Sequence, residues 1–91
     1  MQEVRREIDR LDRTLVRLVA ERQSYIEAAG RLKTDRQRVR DEARIEDVVQ
    51  KILDQAAKDG LNPNIAEPVW RLLIEKSIAH EFDVFDKKHQ K

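Results

Sequence analysis

Residues 4–32 read VRREIDRLDRTLVRLVAERQSYIEAAGRL, and their spacing decides the fold. Val4, Ile8, Leu11, Leu15 and Leu18 recur at alternating steps of four and three, the seam of a long amphipathic helix. The next seam position is Arg22, after which Tyr25, Ala29 and Leu32 resume the pattern. A guanidinium drawn out of water into an apolar stripe costs several kcal/mol unless a carboxylate or an anionic ligand meets it. Lys33 lies eleven residues further on, about three turns, and returns to nearly the same face. Two cations looking into one apolar groove point to a site for a small anion.

Outward from this helix, the scarce glycines and prolines punctuate the chain. Gly30 sits inside the helical pattern, where it weakens the helix but allows close approach by a neighbour or ligand. The helix is expected to end near Lys33, and the polar stretch Thr34 to Arg40 reads as a loop. Asp41 is an N-cap for a second helix, with Glu42 at the positive end of its dipole. Ile45, Val48, Val49, Ile52, Leu53 and Ala56 form that helix's apolar face, and Lys58 and Gly60 close it. Asn62-Pro63-Asn64 opens a third helix running to about Asp86, with Pro68 marking either the true first turn or a kink. Lys87 to Lys91 reads as a frayed tail. No strand-like alternation appears, so the expectation is an all-α fold of three helices in a single domain, residues 1–91.

Composition narrows the function. Lys+Arg 19 against Asp+Glu 18 leaves no basic field, which counts against nucleic acid as a partner. Cysteine is absent, so there is no disulfide, thiolate metal site or cysteine nucleophile, and His80 and His89 are too few for a histidine metal cluster. Neither a metal nor a cofactor is expected. Residues 1–10 lack the apolar core of a signal peptide and no run approaches a membrane span, so a cytoplasmic protein without a membrane partner is the default.

Length speaks to assembly. A helix of thirty-odd residues extends roughly 48 Å, whereas a compact domain of this size is roughly 30 Å across. Its overhanging seam needs covering by a second copy, so an intertwined homodimer is expected. Arg5, too far along the helix to share a site with Arg22 of its own chain, then reaches the partner's Arg22 and Lys33. In the third helix Trp70, Leu73, Ser77, Glu81 and Val84 follow helical spacing, so a hydroxyl and a carboxyl interrupt an apolar stripe, while Ile74, Ile78, Phe82 and Phe85 stay apolar. If the first and third helices face each other, Arg22, Lys33, Ser77 and Glu81 line one cavity, and Arg44 closes it from the second helix.

These residues resemble a family. Val4 to Asp12, Leu18-Val19-Ala20-Glu21-Arg22, Gly30-Arg31-Leu32-Lys33, Val39-Arg40-Asp41 and Arg44 are similar to the all-helical class of chorismate mutases over almost the whole chain. Specificity lies in the ordered cations together with the I-D-x-L-D signature. The resemblance implies a domain-swapped dimer of three-helix chains, with Arg5 donated to a site formed by Arg22, Lys33, Asp41, Arg44, Ser77 and Glu81 of the other chain. It implies rearrangement of dianionic chorismate to prephenate in aromatic amino-acid biosynthesis, a unimolecular pericyclic step needing no nucleophile or metal. Arg5 of the partner and Arg22 would meet the two carboxylates. Lys33 and Glu81 would serve the ether oxygen, where negative charge develops.

The commonest pattern has a glutamine at Glu81, and a carboxylate donates a hydrogen bond only when protonated, so activity is expected to favour acidic pH. Many mutases carry a glutamate where Ile45 stands, for the substrate hydroxyl. Tyr25 and Ala28-Ala29-Gly30-Arg31-Leu32-Lys33 are also similar to isochorismate-pyruvate lyases, with which Ile45 is compatible; Asp41 and Ser77 fit the mutase pattern better. Each residue has a structural reading as well. Arg22 paired with Glu81 or Glu75 would fix helix register in a non-catalytic dimerisation module, Lys33 and Arg44 would be solvated helix-end charges, Asp41 only a cap, Ser77 a tolerated small residue, and His80 a surface or edge residue.

Overall fold

The computed structural model describes residues 1–90 and contains three α-helices: α1 (Gln2–Leu32), α2 (Glu42–Asp59) and α3 (Pro63–Lys88). Among the described residues there is no strand. The reasons are local. Asp41 caps α2, its carboxylate accepting from the Arg44 backbone N–H at 3.1 Å. Gly60 ends α2 in the left-handed conformation, φ 75°, that a glycine adopts without strain. Asn62 caps α3 and Pro63 begins it. Pro68 therefore lies inside α3, within its exposed first turns where water can serve the freed carbonyl of Asn64.

Two expectations shift. The stretch Thr34 to Arg40 is not a plain loop: Arg36–Arg38 form a 3-10 turn capped by Asp35, and the following Val39 is buried as its anchor. Nor does the tail fray from Lys87. α3 continues to Lys88, and His89 stacks on Phe85 at 4.1 Å with a ring nitrogen 3.2 Å from the Lys33 carbonyl oxygen. The expectation for Lys91 falls outside the described residues.

α3 is the central element, packed on α1 along one side and on α2 along another. α1 runs parallel to it, since Arg22–Ser77, Glu27–His80 and Lys33–Glu81 contacts ascend both helices together. α2 runs antiparallel, held by two bidentate clamps: Arg40 to Glu75 and Arg71 to Glu46. Ile45, Val49 and Ile74 form the core cluster between α2 and α3, with Val48, Leu53 and Ile78 packed against it. The whole apolar face read for α2 is buried or half-buried.

The N-terminal half of α1 lies outside this core. Val4, Ile8, Leu11, Leu15 and Leu18 keep between 49% and 54% of their surface exposed. The extents of 54 × 25 × 15 Å and the radius of gyration of 15.8 Å reflect that overhang, against about 12 Å for a compact chain of this length. Closer to its C-terminus α1 does pack. Gly30 is buried against α3, at an intrinsic helix cost of about 1 kcal/mol relative to alanine.

Candidate active site

Along the C-terminal third of α1, a groove of about 920 Å³ opens between α1, the 3-10 turn, α2 and α3. Its apolar wall is Ile26, Ala29, Val39, Ile45, Val48, Ile74 and Ile78. Onto this wall the three helices project Arg22 and Lys33 from α1, Arg44 from α2, and Ser77 and Glu81 from α3, with Asp41 at the α2 cap. Six of the seven residues singled out in the sequence thus share one concavity. Arg5 does not. Seventeen residues from Arg22, it stands about 26 Å away along the helix axis.

The polar contacts distinguish the cations. Arg22 Nη1 donates to the Ser77 hydroxyl at 2.7 Å, and no carboxylate among the described residues lies within ion-pairing distance of it. The carboxylates read as its register partners are committed elsewhere, Glu81 to Lys33 at 2.6 Å and Glu75 to Arg40 at 2.9 Å. Burial holds the Arg22 guanidinium below its usual pKa, and the charge of Arg44 adds to the effect. Arg22 is therefore half-buried, unneutralised and beside a second cation. Such a group gains most from an anionic ligand.

Lys33 and Glu81 occupy the α1·α3 face of the groove. Glu81 is buried and its Oε2 accepts from Lys33 Nζ at 2.6 Å, so the two expected oxygen ligands meet each other. Lys33 is placed by ending α1 with extended backbone, φ −67° and ψ 144°. Arg44 is exposed and bonded to Asp47 at 2.9 Å, while one oxygen of Asp41 is occupied by the helix cap. Ile45 is both core and groove wall, offering no acceptor.

Three features escaped sequence reading. Arg38, on the 3-10 turn, lines the groove and has no ion-pair partner among the described residues; its only signal was the cluster Arg36, Arg38 and Arg40 in a stretch that reads as loop. Arg40 also lines the groove but is neutralised, its pKa pushed up by Glu75 and then by Glu42. His80, read as a surface or edge residue, is half-buried, and the feature the sequence did not indicate is its bond to Glu27 across the α1·α3 interface at 2.6 Å. No group of three or more metal-ligating side chains exists among the described residues, and no helix there is long and apolar enough to cross a membrane.

An apolar concavity with convergent guanidinium and ammonium donors is suited to a small polyanion with an apolar skeleton. No curated protein matches this chain. Residues 4–82, which include every part of the groove and the exposed seam of α1, match the family described as chorismate mutase type II. The chain belongs to the chorismate mutase type II family.

Proposed function

We propose that the groove binds chorismate and converts it to prephenate, in a homodimer where Arg5 of one chain completes the site of the other. The observation that carries this reading is Arg22, a half-buried guanidinium in an apolar groove that meets a hydroxyl instead of a carboxylate. A substrate carboxylate supplies the missing charge by bidentate pairing. The overhanging seam supports the dimer, since a second copy laid antiparallel along it buries the stripe and carries Arg5 toward the far groove.

The reaction breaks one C–O bond as one C–C bond forms, with six electrons shifting around a ring and no proton or electron leaving the substrate. The protein's task is to hold the folded conformer and stabilise the charge that grows on the ether oxygen. Lys33 Nζ is one donor to that oxygen. Glu81 is the second, in its protonated form, because only a neutral carboxyl donates a hydrogen bond. Asp41 and Ser77 border the same space, with Ser77 steadying Arg22.

Ile45 favours a second reading, isochorismate-pyruvate lyase, because it leaves a ring hydroxyl without an acidic partner on α2. The test is to follow prephenate formation from chorismate, with pyruvate release from isochorismate assayed in parallel. Prephenate should be the faster product, and Arg22→Ala should lower kcat/KM by about 100-fold or more while helicity and oligomeric mass stay unchanged. A wild-type protein inert toward chorismate would refute the mutase reading. An Arg22→Ala protein that loses its dimer instead of its turnover would favour a dimerisation module.

A further inference from the structure

Gly30 is a buried residue at which α1 faces α3 beside the groove. A Cβ built there would stand 3.0 Å from the backbone carbonyl oxygen of Glu81, and 3.2 Å from both Cβ and Cγ1 of Val84. The first of these atoms belongs to a helix backbone and cannot swing aside. Any side chain at position 30 therefore displaces α3 by a few tenths of an ångström at Glu81 itself. One turn further along α1 is Lys33, whose ammonium meets the Glu81 carboxylate at 2.6 Å. The same short segment fixes both the spacing of the helices and the spacing of the two oxygen ligands.

Helix propensity argues against glycine at this place, since α1 runs from Gln2 to Leu32 and position 30 is interior to its last turns. Alanine would favour the helix. No positive φ demands glycine either, because among the described residues only Gly60 has one. What glycine alone supplies is the approach.

We propose that Gly30 is a positioning residue of the catalytic groove, setting the distance between Lys33 and Glu81 by admitting backbone-to-backbone approach of α1 and α3. This rests on the reading of the groove as a chorismate-type site. Gly30 touches no substrate and acts through the two ligands. Its removal should therefore appear in turnover and in the titration of Glu81 more than in folding.

The experiment compares wild type, Gly30→Ala, Val84→Ala and the double variant as full chains. In Gly30→Ala, kcat should fall about tenfold or more with KM changing less, since displacements well below 1 Å already cost rate at a preorganised site. Melting temperature should stay close to wild type because better helix propensity offsets the looser packing. The double variant, freed of the Val84 Cγ1 contact but not of the Glu81 carbonyl, should recover only part of the loss. The side-chain carboxyl 13C titration of Glu81 should be displaced in Gly30→Ala, a readout independent of turnover. An unchanged titration in a folded Gly30→Ala protein overturns the proposal even if the protein proves inert toward chorismate, an outcome that would refute only the functional reading. If Gly30→Ala does not fold, the double variant is compared with Val84→Ala, and equal kcat and equal titration overturn it.

Discussion

Glu81 shows what one side chain can and cannot disclose in a sequence. Its place in a helical stripe marked it as a groove residue, and α3 does present it there. Its partner was invisible, because Lys33 lies 48 residues away and no local rule links the two. The buried Lys33–Glu81 contact gives the acid-favoured mechanism a definite form. Under the proposed mechanism a substrate dianion turns Glu81 from an acceptor of the Lys33 proton into a donor toward the ether oxygen, and only the neutral carboxyl can do that. The sign follows: with a protonated Glu81 required, wild-type kcat/KM should fall by about tenfold per pH unit along its alkaline limb. Glu81→Gln, a permanent donor, should flatten that alkaline limb and exceed wild type at its upper end. The measurement is kcat/KM against pH for both proteins, and an equally steep alkaline fall in the glutamine variant would rule out a proton on Glu81 as its cause.

At the scale of elements, what the chain announces locally is what it builds. Asp41, Gly60 and Asn62-Pro63 end and begin helices through hydrogen bonds spanning a few residues, and these boundaries were legible to within about two residues. The 3-10 turn was not, because a polar arginine run hides the single buried anchor, Val39. Nor were the Arg40–Glu75, Arg71–Glu46 and Glu27–His80 bonds, which join elements that only folding brings together. Between these cases stands α1, whose length and seam were plain while their purpose, in the proposed dimer, lies in a second copy. That purpose has a sharp consequence. Arg5→Ala and Arg22→Ala proteins should each be nearly inactive, yet unfolding and refolding them together in equal amounts should restore about a quarter of wild-type activity, since half the dimers are mixed and each holds one intact site. Activity that stays at the level of either parent, with mixed dimers demonstrated by mass, would place both arginines in one chain's site.

For the molecule as a whole, 41% charged residues with a net charge of +1 make stability a matter of pairing, not of field. Side-chain hydrogen bonds hold carboxylates below their ordinary range: Glu27 by His80, Glu46 by Arg71, Asp47 by Lys51, Glu75 by Arg40 and Asp86 by Arg36. Each is solvent-accessible, so each contributes little alone, but all share one sign. A carboxylate whose folded pKa lies below its unfolded value stabilises the fold above the unfolded value, near 4 for these groups, and the contribution is lost as pH falls through the folded value. The melting temperature should therefore be nearly level from about pH 7 to 5 and drop below about pH 4. Because α2 is clamped to α3 through Glu46 and Glu75, the groove should open along with the fold. Two limbs of the activity profile should then have separate origins: under the proposed mechanism the need for a protonated Glu81 sets the alkaline one, and loss of these pairs sets the acid one. Glu81→Gln should move only the alkaline limb, while replacing both Glu46 and Glu75 by glutamine should lower the melting temperature at pH 7 and shrink its fall below pH 4. Thermal unfolding followed by circular dichroism across pH 3 to 7, beside the activity profile, checks both. An acid loss of stability undiminished in the Glu46→Gln, Glu75→Gln protein would place it outside the α2–α3 clamps.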